Sequence, residues 1–164
     1  MGIEAVFDFR KFEELMYSIP DIISEEIIRS LSYLGEQCVR RVRDRHGDDS
    51  WYDQTGNLRS SIGYAVYEHG KTMIESAFAQ VKDGKDGTKS GKDYIAKLAS
   101  KYAETYALVV VAGMEYADYV EAMKNKDVLA STELWAKAEA DRYIQQAIDR
   151  ASQRIAKMQK SLGL

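Results

Sequence analysis

The sequence predicts an α+β fold: a small antiparallel sheet packed against long N- and C-terminal amphipathic helices. Three patterns predict it. Apolar residues recur every three or four positions over 23–42 and again over 144–162, residues alternate between two faces over 64–69 and 73–81, and aliphatic residues fill 108–111. With 164 residues, 45% hydrophobic and 30% charged, the chain is long enough to bury a core of its own. A single proline, Pro20, leaves no Pro-rich linker, so residues 1–164 read as one domain.

Ser18-Ile19-Pro20-Asp21 reads as the start of the first helix, with Ser18 as cap and Pro20 in the first turn, where a missing N–H costs nothing. Ile23, Ile27, Leu31, Leu34, Cys38 and Val42 mark one face as far as about Arg45, and Gly47 is the natural stop. Cys38 falls within that apolar pattern and has no second cysteine to pair with, so it reads as a buried, inert thiol. Tyr64, Val66 and Glu68 alternate with Ala65, Tyr67 and His69. After His69-Gly70-Lys71 the alternation resumes from Met73 to Val81, which makes an antiparallel hairpin.

Residues 82–93, KDGKDGTKSGKD, hold three Gly, four Lys and three Asp, a composition that reads as a flexible loop. A helix carrying Tyr94, Ile95, Leu98, Ala99 and Tyr102 follows. Leu108 to Val111, apolar on both faces, then reads as the central strand of the sheet. The last helix begins near 131–133, and its stripe of Ile144, Ile148, Ala151, Ile155, Met158 and Leu162 suits packing against another long helix. The first helix is the partner within the chain.

The formal net charge of -3 argues against a protein whose main task is gripping nucleic acid. An acidic, interrupted N-terminus reads as no signal peptide, and Val6 stands where a myristoylation signal has Ser or Thr. The longest apolar stretch, 106–112, is far shorter than the ~18 residues a spanning helix needs. No nucleophile elbow, Cys/His pairing or phosphate loop is present, and no cofactor is implied. His46, Asp48 and Asp49 could hold a metal in a small metal-dependent hydrolase, although such residues in a turn are more often solvated turn formers. Arg40, Arg41, Arg43 and Arg45 are candidate contacts for a partner or for DNA, as in a nucleic-acid-binding accessory protein. The same cations complement the dipole at a helix C-terminus.

Two motifs carry a family resemblance. Asp53 followed by Thr55-Gly56-Asn57-Leu58-Arg59-Ser60-Ser61-Ile62 resembles the Asp-Thr-Gly-x-Leu-x-x-Ser-Ile motif of the minor capsid and tail-completion (neck) proteins of tailed bacteriophages. Tyr116-Ala117-Asp118-Tyr119-Val120-Glu121 is similar to the Tyr-Ala-x-Tyr-Val-Glu box of that family. The order of long helix, turn, hairpin, aromatic box and C-terminal helix agrees over roughly residues 20–150. Gln54 separates Asp53 from Thr55, Ala122-Met123 stand where Gly-Thr is common, and the Pro-Phe segment before the last helix is missing.

The resemblance implies a non-enzymatic structural subunit of a phage head–tail junction. Such a subunit is a homo-oligomeric ring in the virion, assembled in the bacterial host cytoplasm and contacting other neck and tail proteins. It touches packaged DNA passively, needs no cofactor and meets no membrane. On the residues, both motifs read as architecture. Thr55 caps a helical turn whose Leu58 and Ile62 face inward, Gly56 relieves crowding, and Ser61 completes the turn. Tyr116, Tyr119 and Val120 face the sheet beside Ala117, with Asp118 and Glu121 outward. The 82–93 loop is expected to project toward a neighbouring subunit, the ring lumen or the adjoining ring.

Overall fold

The computed structural model describes residues 8–45, 50–123 and 126–164. Helix α1 spans Phe9–Arg43, so it begins about two and a half turns before the predicted cap at Ser18. Asp8 is the cap, its carboxylate accepting from the Arg10 N–H at 3.1 Å, and Pro20 lies inside the helix. Ser18, the expected cap, donates instead to the Glu14 carbonyl at 2.8 Å. The helix persists across Pro20 because Leu15 and Ile22, on either side of it, are both buried. Tertiary packing there outweighs the ~3 kcal/mol that a proline costs in a helix interior.

Helix α5, Ala130–Leu162, runs antiparallel along α1. Arg45 meets Thr132 near one end, Arg150 meets Glu26 in the middle, and Lys11 approaches Gly163 at the other. Its buried positions are Thr132, Ala147 and Ala151, with Ile144 and Ile155 half-covered. Ile148, predicted in the seam, is 51% exposed. At that turn Ala147 takes its place, a small side chain where the two long helices approach, while Ile144, Ala151 and Ile155 lie on the covered face as predicted.

The sheet contains β1 (Ile62–Glu68), β2 (Lys71–Glu75) and β3 (Tyr106–Ala112), all antiparallel, in the order β2-β1-β3. The expected hairpin is present, and His69 and Gly70 take φ of 48° and 77° at its turn. Both positive values belong to the turn whose twist matches paired strands. β1 is the central strand and is buried on both faces, whereas β3, expected at the centre, lies at an edge with only Val111 fully buried. An aliphatic run therefore marked a strand but not its neighbours. The alternation of 76–81 also outlasts its strand: after Glu75 the chain peels away, and Phe78, at φ 45°, drops into the core.

The reading of 82–93 as a flexible loop is overturned. Helix α3 spans Lys85–Leu98, continued by a 3-10 turn over Ala99–Tyr102. Its inner face is glycine over the first half, where Gly87 and Gly91 are buried, as is Gly84 just before them, and Ile95 and Leu98 continue that face. A Cβ on Gly87 would stand 1.9 Å from the Asn57 carbonyl oxygen, and one on Gly91 would stand 2.4 Å from the Phe78 ring. The segment buries backbone rather than side chain, and composition does not register that.

Three apolar clusters result. One lies between α1 and the face of the sheet bearing Tyr64 and Val66. Another lies between α3 and the opposite face, with Ala65, Tyr67, Phe78 and Ile95. The third closes one end of the sheet.

Candidate functional site

The two sequence motifs meet in that third cluster. The turn supplies Leu58 and Ile62, the aromatic box supplies Ala117 with Val120 packed against it, and Val42, Trp51 and Val128 complete it. Asp53 organises the turn: one carboxylate oxygen accepts the Gly56 N–H at 3.0 Å and the other accepts the Arg59 N–H at 2.8 Å. Those bonds secure the short helix α2, Asn57–Ser60. Thr55 is the lesser cap, with its hydroxyl accepting the Asn57 N–H at 3.3 Å. Gly56 has φ 82°, and a Cβ there would lie 2.0 Å from the Val81 carbonyl oxygen, so both conformation and space require glycine. The Ser61 hydroxyl donates to the Leu58 carbonyl at 2.8 Å.

The box continues as helix α4, Ala117–Ala122. Tyr116 and Tyr119 do not face the sheet: they are 41% and 69% exposed. Glu121 is turned inward instead, its carboxylate accepting the N–H groups of Val128, Leu129 and Ala130 at 2.9, 2.7 and 3.2 Å. It caps the start of α5 from the preceding short helix, placing negative charge at the positive end of the dipole.

Most of the arginine group is engaged within the fold. Arg45 pairs with Asp127 at 2.7 Å and donates to Ser131 at 2.8 Å. Arg43 donates to the Ala79 carbonyl at 2.6 Å, and Arg41 stacks over Trp135 at 4.6 Å from the ring centre. Arg40 is exposed at the end of α1. Burial pushes the Asp127 carboxyl up, but bonds from Ser131 and Arg45 outweigh it and hold the group below its ordinary range. Cys38 is fully buried, and desolvation pushes its thiol up to about 11, as expected of an inert side chain.

Arg59, inside the motif, was not singled out by sequence. Its guanidinium lies 4.7 Å from the Trp51 ring centre, donates to the Arg45 carbonyl at 3.0 Å and also reaches the Arg43 carbonyl. It thus satisfies carbonyls at the C-terminal end of α1 and ties that end to the turn. Glu26, 3% exposed, is held by Arg150 at 2.7 Å and Arg154 at 3.0 Å. A carboxylate on the buried stripe of α1 opposite two arginines of α5 is the signal that could have found this group.

The third feature is the free side of β3. A cavity of about 440 Å³ separates it from α5, and one of about 600 Å³ lies toward α3 and α4. Val110 and Leu129 border both. Among the described residues no group of three or more His, Cys, Asp and Glu is placed to hold a metal, and no helix is long and apolar enough to cross a membrane. His46, Asp48 and Asp49 lie outside the described residues. No protein family, no curated protein and no solved structure matches this chain.

Proposed function

We propose that this protein is a non-enzymatic structural subunit of a tailed-phage head–tail junction, a tail-completion or neck protein that assembles into a ring. The observation that carries the reading is the convergence of the two motifs. Remote in sequence, they pack into one cluster, and a carboxylate of each binds backbone N–H groups: Asp53 secures α2 and Glu121 secures the start of α5. Motifs of that kind set the relative placement of helix and sheet, which a ring subunit must hold constant from copy to copy.

Around the same end, Tyr52, Tyr116, Tyr119 and Met123 are exposed. Tyrosine and methionine are enriched at protein contact surfaces, and this group is the surface offered to neighbouring copies and to other neck and tail proteins. Arg43 and Arg45 are engaged within the fold, which leaves the exposed Arg40 and Arg41 for passive contact with DNA and weakens the accessory DNA-binding reading.

Mass photometry and single-particle electron microscopy across a concentration series test the proposal, together with addition of the protein to tailless phage heads. Closed rings, or rings formed on the heads, are expected. Tyr119→Glu should abolish them without changing the melting temperature. A protein that stays monomeric throughout and does not bind heads overturns the reading.

A further inference from the structure

The two edges of the sheet differ in how they are guarded. β2 is five residues long, carries Lys71 and Glu75, and its pairing with β1 is broken by an irregularity after Val66. Short length, charge and bulges are the usual protections of an edge. β3 is seven residues long, contains no charged residue, and pairs with β1 in unbroken register from Ile62↔Ala112 to Glu68↔Tyr106.

The hydrogen-bond pattern identifies the groups on its free side. The Tyr64 carbonyl accepts the Ser76 N–H and the Tyr64 N–H bonds the Ser76 hydroxyl, both at 2.9 Å, so the Tyr64 backbone faces away from β3. Its antiparallel neighbour Val110 therefore turns its own N–H and C=O outward, and by alternation so do Leu108 and Ala112. Among the described residues none of these outward groups has a hydrogen-bond partner.

We propose that the free edge of β3 is a slot for one added β-strand, filled by an extended segment of a partner protein with aliphatic residues on one face and Lys or Arg on the other. The aliphatic face is set by the cavity under α5, lined mainly by Leu31, Leu34, Leu108, Val110, Ala136 and Ala140, its two charged residues, Glu133 and Lys137, being paired with each other at 2.6 Å. The basic face is set by the opposite cavity, where Asp93, Glu115 and Asp118 stand against Lys97 alone, the Glu121 carboxylate being engaged with the start of α5. α5 borders the slot on one side and α3 on the other, so it accepts a single extended chain more readily than the edge of a second sheet with its own helices. That selects a partner segment over a second copy. Main-chain bonds would supply affinity and the alternating cavities specificity. The inference does not depend on the ring reading.

The test uses the full chain and two capped peptides, KVKVKVK and EVEVEVE, with amide hydrogen exchange and calorimetric titration. KVKVKVK should bind and slow exchange at Leu108, Val110 and Ala112, while EVEVEVE should not. Val110→Pro removes one outward N–H and leaves the ladder to β1 intact, so the variant should fold and bind about tenfold more weakly. Should that variant fail to fold, Asp93→Lys with Asp118→Lys decides instead, by shifting preference to EVEVEVE. Absence of KVKVKVK binding at millimolar concentration, or equal binding of both peptides, overturns the proposal. So does concentration-dependent protection of the same amides in the protein alone, which would assign the slot to a second copy.

Discussion

α5 and α3 reach the rest of the molecule through different chemistry. α5 presents alanines, aliphatic residues and two arginines along a 33-residue helix, so that it lies on α1 through side chains and a buried carboxylate. The first half of α3 presents glycine and lies close to the α2 backbone, with the Gly87 N–H donating to Asn57 Oδ1 at 3.2 Å, before Ile95 and Leu98 pack on the sheet. Side-chain contacts can relax around a substitution. Backbone contacts cannot, because the atoms that would have to move belong to other elements.

The largest effect is therefore expected in α3. Gly87→Val sets a side chain into the Asn57 carbonyl and should cost at least about 3 kcal/mol, measured by urea denaturation. Even Gly87→Ala should destabilise, although alanine is better than glycine by about 1 kcal/mol in an unconstrained helix. If Gly87→Ala proves stabilising, α3 is not held by close approach.

Next in size is the α1–α5 seam. Ala147→Asp buries a charge without a partner and should cost about 3 kcal/mol in the same measurement. Glu26→Gln should cost about 1–2 kcal/mol, since Arg150 and Arg154 are partly exposed and retain water as an alternative partner.

Glu26 also carries a pH signature. Arg150 first, against the opposing effect of burial, and then Arg154 hold its carboxyl below the usual 4.5. A folded value lowered in this way contributes stability that is present above the unfolded value and lost as pH falls through the folded one. Wild type should lose stability below pH 4.5 more steeply than Glu26→Gln, as followed by melting temperature against pH. Parallel curves would mean that the pair contributes no linkage. The smallest effect is expected from Ile148→Asp, within about 0.5 kcal/mol, because that side chain faces solvent. A loss comparable to that of Ala147→Asp would return Ile148 to the seam.

These contrasts separate what could be read from residues alone. Periodicity at 3.6 and at 2 is a property of the chain itself, so the two long helices, the His69-Gly70 hairpin and the α+β class were legible before any coordinates. So was the requirement for glycine at position 56, because a turn of that form needs a positive φ. Capping by Asp53 was partly legible, since the acid stands beside the turn, although Thr55 was the expected cap.

Tertiary structure decided the rest. Leu15 and Ile22 find cover that carries α1 through Pro20. Glu121 finds the N–H groups of Val128 to Ala130 and turns inward. β1, rather than the more aliphatic β3, takes the centre of the sheet because both helical layers cover it, and β3 is left with a free edge. The glycine-rich segment becomes a helix only because Asn57, Phe78 and Ser60 offer surfaces that nothing larger could approach. Local pattern encodes which face a segment must bury. What is available to bury it against is a property of the whole chain, and for backbone surfaces the local pattern carries no mark of it.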